Sequence, residues 1–297
     1  MKELWNVYKK DRTLTEKTCY RGEQGLLEED EYHLWIMVWI KNPKTGKYLV
    51  SQRSADKETD PLKWETVGGH SVYGETSLDA AVREVFEEVG IELDPKEAKL
   101  MATKVAGRYD GQRHNWIRDS FYFETTQEPD LNRATTPEVL QTKWLTVEEI
   151  KEMYDRGECC LNMGDIFGFV ENPVPENRYS DIIGQVVKGK IDRPLGSYHP
   201  CHPSLYYPVN YGYVEGFIGG DGAEQNIYLL GVNHPVQEYT GKVIAVYHRY
   251  DDKKTKWVLV PCDENGTVSD DVKLPTDNEI YAEIAFREQF FSGVLIR

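Results

Sequence analysis

The 297-residue sequence predicts an α+β protein in two parts. Three observations lead there. A continuous apolar run at 33–40 (HLWIMVWI) has the length of a buried strand, with shorter strand-like runs on either side. Between 76 and 89 the apolar residues recur at three- and four-residue steps, the period of an amphipathic helix. Beyond residue 178 the chain becomes a series of short β-type runs spaced by glycine and proline turns, as in a small barrel or sandwich. The expected layout is a domain of mixed strands and helices over 1–170, a polar, proline-containing linker at 171–178 (ENPVPENR), and a β-rich domain over 179–297.

In chain order, 3–12 reads as a short strand running into a polar turn, and 46–53 pairs with 33–40 across the turn 42–46 (NPKTG). Residues 64–69 lead into the helix, which Thr76 or Ser77 can cap at its start and Gly90 at its end. Strands are expected at 100–107 and 118–124, around a polar loop at 108–117, then at 143–145, before a capped helix beginning near Thr146. In the second half the strand-like runs are 227–232, 242–248 and 256–260.

The chemistry concentrates in 69–91, GHSVYGETSLDAAVREVFEEVGI. Glu84, Glu87 and Glu88 stand at i, i+3 and i+4, so three carboxylates share one helix face. Like charges that close repel unless a cation lies among them, and a hard divalent ion with oxygen ligands suits the set. Mg²⁺ binds one or two carboxylates together with substrate phosphates, so the cluster also implies a phosphorylated small molecule. Arg83 can orient a carboxylate by a two-pronged hydrogen bond, and Glu75, near the helix start, can pair with it.

A net charge of -15 argues against nucleic acid as the main partner. The first residues lack the apolar core of an export signal and no run has membrane-spanning length, so no membrane partner and a cytoplasmic location are expected. Five cysteines without metal-ligand spacing fit a reducing compartment, Cys159 and Cys160 being two ordinary thiols.

The spacing Gly69, Glu75, Arg83-Glu84, Glu87-Glu88, Gly90 resembles the Nudix box at every fixed position. The resemblance implies an α/β/α sandwich with a mixed sheet, and a hydrolase that cleaves a nucleoside diphosphate linked to another moiety, using Mg²⁺ or Mn²⁺. It makes the Gly69 carbonyl, Glu84, Glu87 and Glu88 metal ligands, one of the glutamates a base for water, and Arg83 and Glu75 a supporting pair. Within that superfamily the first half is most similar to isopentenyl diphosphate isomerases, where His33 and His70 fall at metal-binding histidines, although a packed histidine is an equal reading. Gly68 stands where those enzymes keep a catalytic cysteine, so isomerase activity is not expected. For substrate contacts the candidates are Arg108, Arg113 and His114, with Tyr109 or Trp116 to stack on a base, and Glu138 as a further acid.

The second half is similar to soluble inorganic pyrophosphatases through 207–212 (YPVNYG) and 220–226 (GDGAEQN). Of the acids that hold Mg²⁺ in that family Asp221 survives, while Ala223, Asn226 and Lys254 replace the others; Asp251 and Asp252 match a further acidic pair in part. The expectation is a domain that keeps the fold and an anion pocket built from Arg193, Tyr207, Tyr211 and Lys254, without efficient hydrolysis. A purely structural domain, or one that joins two copies of the chain in a homodimer, is the competing reading. A nucleotide sensor without turnover is the non-enzymatic alternative for the whole chain.

Overall fold

The computed structural model describes residues 2–107 and 114–297, so Arg108, Tyr109 and Arg113 lie outside the described residues. The chain divides into two compact units, Met1–Val170 and Glu171–Arg297.

In the first unit a nine-stranded mixed sheet is built on β3 (Tyr32–Lys41). β1 (Leu4–Tyr8) and β2 (Leu14–Tyr20) flank it on one side. β4 (Tyr48–Arg53), β5 (Trp64–Glu65) and β6 (Val67–His70) follow, with β6 antiparallel to β3 and Ile36 opposite Gly69. Helix α1 (Ser77–Val89) comes next, then β7 (Lys99–Ala106), β8 (Asn115–Glu124) and β9 (Val139–Leu145). β8 runs parallel to β3 from Tyr32 opposite Asn115 to Lys41 opposite Glu124. β3 is covered on both faces, which is why its sequence is apolar throughout rather than alternating.

The helices obey local rules. Thr76 accepts from the Asp79 N–H while Asp79 accepts from the Thr76 N–H, a reciprocal cap. Gly90 ends α1 in the left-handed region (φ 70°), where a Cβ would also run into the Asp130 carbonyl. α2 (Val147–Asp155) starts on the same device, Thr146 with Glu149, and α3 (Asp165–Glu171) follows. Trp39, Tyr48, Met101, Ile150 and Ile166 meet in one core of this unit.

Two expectations are corrected here. The polar loop does not extend to 117: Asn115 opens β8, its side-chain amide donating to the Glu29 and Glu31 carbonyls, and Trp116 is a strand residue edge-on to Trp35 (5.7 Å). The strand expected at 143–145 begins at Val139, because all of it pairs with β4.

The second unit is a closed five-stranded barrel. Its strands are β10 (Val186–Arg193), β13 (Asn210–Ile218), β14 (Glu224–Leu229), β16 (Lys256–Pro261) and β15 (Glu238–Arg249), which pairs back onto β10. β11 (Tyr198–His199) and β12 (His202–Tyr206) form a small hairpin, and β17 (Gly293–Ile296) extends β15 after α4 (Asp277–Glu288). Ile227, Leu229, Val243, Val246 and Leu259 fill the interior. Residues 171–178 belong to this unit, where the Asn172 side chain donates to the Arg249 and Asp252 carbonyls. Among the described residues no helix is long and apolar enough to cross a membrane.

Candidate active site

The end of β6 and one face of α1 bring the box residues together. Arg83 lies at their centre: Nε and Nη2 donate to the two Glu75 oxygens at 2.7 and 3.0 Å, Nη1 donates to Glu84 and Glu87 at 2.9 Å each, and Nη2 also reaches the His70 carbonyl at 2.9 Å. The cation that sequence reasoning requires among the carboxylates is thus supplied in part by the chain itself.

Arg83 does not satisfy the whole cluster. Glu88 is 3% exposed and its buried Oε2 has no hydrogen-bond partner. Burial, then the Glu65 and Glu84 charges, hold its carboxyl well above the usual range. Burial also raises Glu84, to about 7, against the pull of Arg83. Glu84 lies so close over Gly69 that a Cβ there would run into its carboxyl. Among the described residues no three His, Cys, Asp or Glu side chains are gathered as a metal site. Even so, an orphaned buried carboxylate oxygen beside a second carboxyl with raised proton affinity is a donor set that a hard cation fits.

These groups open on a cleft of about 550 Å³. Its wall carries Glu84, Glu87, Glu65 and Glu138, the cations Arg21, Arg53, Lys57 and Lys63, and an apolar side of Trp35, Met37 and Leu161. Every one of these four cations has a carboxylate partner: Arg21 with Glu3 (2.6 Å), Arg53 with Glu65 (2.8 Å), Lys63 with Asp60 (3.0 Å), and Lys57 with Glu138. Arg21, Arg53 and Lys57 also line an adjoining cavity of about 510 Å³, so they stand where the two spaces meet.

A NUDIX domain model matches residues 31–159. A Nudix hydrolase of Listeria innocua is 35% identical over 161 residues, 52% of this chain and 87% of the relative. The chain belongs to the Nudix hydrolase family. An isopentenyl-diphosphate Delta-isomerase of Shigella flexneri is 30% identical over 124 residues, 40% of this chain and 64% of that protein. A solved Deinococcus radiodurans structure overlays on 57% of this chain and 98% of its own, with 19% identity and a TM-score of 0.42.

The other predicted residues of the Nudix unit are placed as follows. Glu138 lines the cleft, ion-paired with Lys57. His33, His70 and His114 form a ring cluster with Trp5: His70 stacks on Trp5 at 4.2 Å, and His33 lies 5.2 Å from His70 and 4.9 Å from His114. Both His33 ring nitrogens are buried without a partner. Burial, with the neighbouring histidines, drives His33 down to about 2, and burial with Arg21 drives His70 to about 4, so both are neutral packed rings at neutral pH.

In the barrel the surviving acids are tied up by the chain's own groups. Asp221 pairs with Lys254 (2.7 Å), Asn226 accepts from Lys256 (2.7 Å), Asp252 pairs with Arg249 (2.8 Å), and Asp251 accepts from the Ser292 N–H (2.9 Å). Lys254 is thus ion-paired with a carboxylate, as Arg53 and Lys57 are in the first unit. Tyr211 is buried, with Arg287 over its ring at 5.4 Å. Sequence reasoning missed Arg21, Arg53, Lys57 and Glu65; the one local signal was the charged stretch 53–60 that follows the buried strand, and it covers Arg53 and Lys57 alone.

Proposed function

We propose that the Nudix unit hydrolyses a phosphoanhydride bond in a nucleoside diphosphate linked to another moiety, by attack of water at phosphorus. The observation that carries this is that one cleft is lined both by carboxylates of α1, Glu84 and Glu87, with Glu88 buried behind them, and by the cations Arg21, Arg53 and Lys57. The Gly69 carbonyl, Glu84, Glu87 and Glu88 would hold Mg²⁺ or Mn²⁺. When bound, such an ion neutralises diphosphate charge and makes water more acidic.

The remaining roles fall to the chain. Arg83 holds Glu84 by Oε1 and Glu87 by Oε2, fixing both carboxyls so that they do not splay apart under repulsion. One of the three glutamates would act as general base for the attacking water. Glu75 locks Arg83 from behind through two hydrogen bonds. Arg53 and Lys57 can exchange their carboxylate partners for phosphate oxygens, and Trp35 with Met37 offers an apolar wall to the organic part of the substrate.

The isomerase reading shares sequence similarity, but β6 carries Gly68 opposite Met37, with no thiol there. The one thiol lining this cleft is Cys160, pushed up by burial to about 12. The test is a panel of nucleoside triphosphates, nucleotide sugars, dinucleotides, isopentenyl diphosphate and pyrophosphate with Mg²⁺, products read by mass spectrometry, wild type beside Glu87→Gln. Cleavage of a nucleoside-diphosphate compound that vanishes in the variant supports the hydrolase. Rearranged isopentenyl diphosphate supports the isomerase, and binding without turnover supports a nucleotide sensor.

A further inference from the structure

Beside the catalytic cleft lies the second cavity of about 510 Å³, and the two share Arg21, Arg53, Lys57 and His70. A diphosphate that took Arg53 and Lys57 from their carboxylates would lie at the join and send one half of the substrate into each space. Arg53 also fixes the loop between β4 and β5, which carries Asp56, Lys57 and Glu58: its Nε and Nη2 donate to the Thr59 carbonyl at 3.0 and 2.8 Å.

The two spaces differ in chemistry. The catalytic cleft has the apolar side of Trp35, Met37 and Leu161, whereas among the described residues no aliphatic side chain lines the adjoining cavity. Of its two rings Trp5 is 1% exposed and already stacked with the other, His70, at 4.2 Å. Its polar groups are Gln24, Thr59, Asp56 and Glu58. Gln24 gives its side-chain oxygen to the Gly22 N–H at 2.8 Å, which leaves the amide nitrogen to donate. The exposed carboxylates of Asp56 and Glu58 have no ion pair and no hydrogen bond among the described residues. The three cations are already matched by Glu3, Glu65 and Glu138, so these two carboxylates leave the cavity with an excess of negative charge. A further phosphate is repelled there and a second base finds no apolar wall, but hydroxyl groups find acceptors.

We propose that the adjoining cavity binds the second half of the substrate as a neutral polyhydroxy group, a sugar, with Asp56 and Glu58 accepting from its hydroxyls. A carboxylate can accept from two neighbouring hydroxyls at once, and such charge-assisted bonds are stronger than those between neutral groups. The preferred substrate is then a nucleoside diphosphate sugar, its base against Trp35, rather than a triphosphate or a dinucleotide. This rests on the hydrolase reading of the cleft and extends it to residues outside the box.

The test measures kcat and KM of the full chain with Mg²⁺ for ADP-glucose, ADP-ribose and UDP-glucose beside ATP, UTP and diadenosine diphosphate, in wild type, Asp56→Ala and Glu58→Ala. Calorimetric binding of the same compounds accompanies the kinetics, with circular dichroism to confirm folding. At least one nucleotide sugar should have a higher kcat/KM than every triphosphate and dinucleotide. In each variant its KM should rise at least about fivefold with a smaller change in kcat, each having lost charge-assisted hydrogen bonds, while ATP should bind as well as before or more tightly. A triphosphate or dinucleotide as the best substrate, a sugar KM that both variants leave unchanged, or an equal loss for every compound would overturn the proposal and leave the hydrolase standing. If nothing is cleaved but the nucleotide sugars bind and lose affinity in the variants, the hydrolase reading falls and the sugar site stands. Nothing cleaved and nothing bound would overturn both.

Discussion

At Gly69 the absence of a side chain makes room for the Glu84 carboxyl, which occupies the space a Cβ would take. Gly69→Ala should displace that carboxyl while leaving β6 paired with β3. We expect kcat/KM to fall about 100-fold, the scale of a displacement near 1 Å at reacting groups, with a thermal midpoint within a few degrees of wild type. Parallel kinetics and melting would show it; an equal loss of folding would mean that Gly69 serves the sheet instead. Lys256 makes a prediction in pH. Burial, then the nearby Arg249 charge, brings its amine from the ordinary lysine range to about 7, so between pH 7 and about 10 the unfolded chain binds a proton that the native barrel does not. Stability should then rise with pH across that window, by up to about 1.4 kcal/mol per pH unit from this one group, and flatten below pH 7, where both states are protonated. In Lys256→Met that slope should disappear from denaturation curves followed by hydrogen exchange in β15 and β16; an unchanged slope would assign it to other groups.

Among the elements, α1 is set by its ends as much as by its apolar face. Thr76→Ala removes the acceptor of the first-turn cap and should cost about 1 kcal/mol. Gly90→Ala should cost more, because the new Cβ meets both a left-handed backbone and the Asp130 carbonyl. Chemical denaturation of the two variants gives the order, and a larger loss at Thr76 would contradict it. This helix was legible in the sequence because cap, apolar period and terminal glycine are all local signals. The same holds for β3, whose burial on both faces leaves an uninterrupted apolar run. β2 was not legible: only Cys19 of LTEKTCY is buried, so its strand character comes from pairing with β1 and not from its composition. The start of β8 was hidden for a related reason, since Asn115 is a polar residue made buriable by the backbone carbonyls its amide reaches. The box carboxylates were readable from spacing alone. The cationic rim was not, because Arg21 joins the Arg53–Lys57 stretch on the cleft from a distant part of the sequence.

At the scale of the molecule, each unit owns a complete sheet and its own apolar core, so each should fold when produced separately. The acidic chemistry is distributed unequally between them. In the Nudix unit Glu88 keeps a buried oxygen without a partner, whereas in the barrel Asp221 and Asp252 are paired with Lys254 and Arg249. A carboxylate already neutralised by a tethered cation has little electrostatic reason to recruit Mg²⁺, and several such ions would be needed to draw charge from free pyrophosphate. Residues 1–171 alone should therefore retain the metal-dependent hydrolysis proposed for the full chain, with kcat/KM within about threefold if the rate is set within the cleft. Residues 172–297 alone should show no Mg²⁺-dependent release of phosphate from pyrophosphate. Colorimetric phosphate release by the two fragments, each first checked for a cooperative melt, tests both statements at once. Turnover of pyrophosphate by the second fragment would mean that Lys254 and Arg249 give up their carboxylates to metal, and would make the chain a two-activity enzyme.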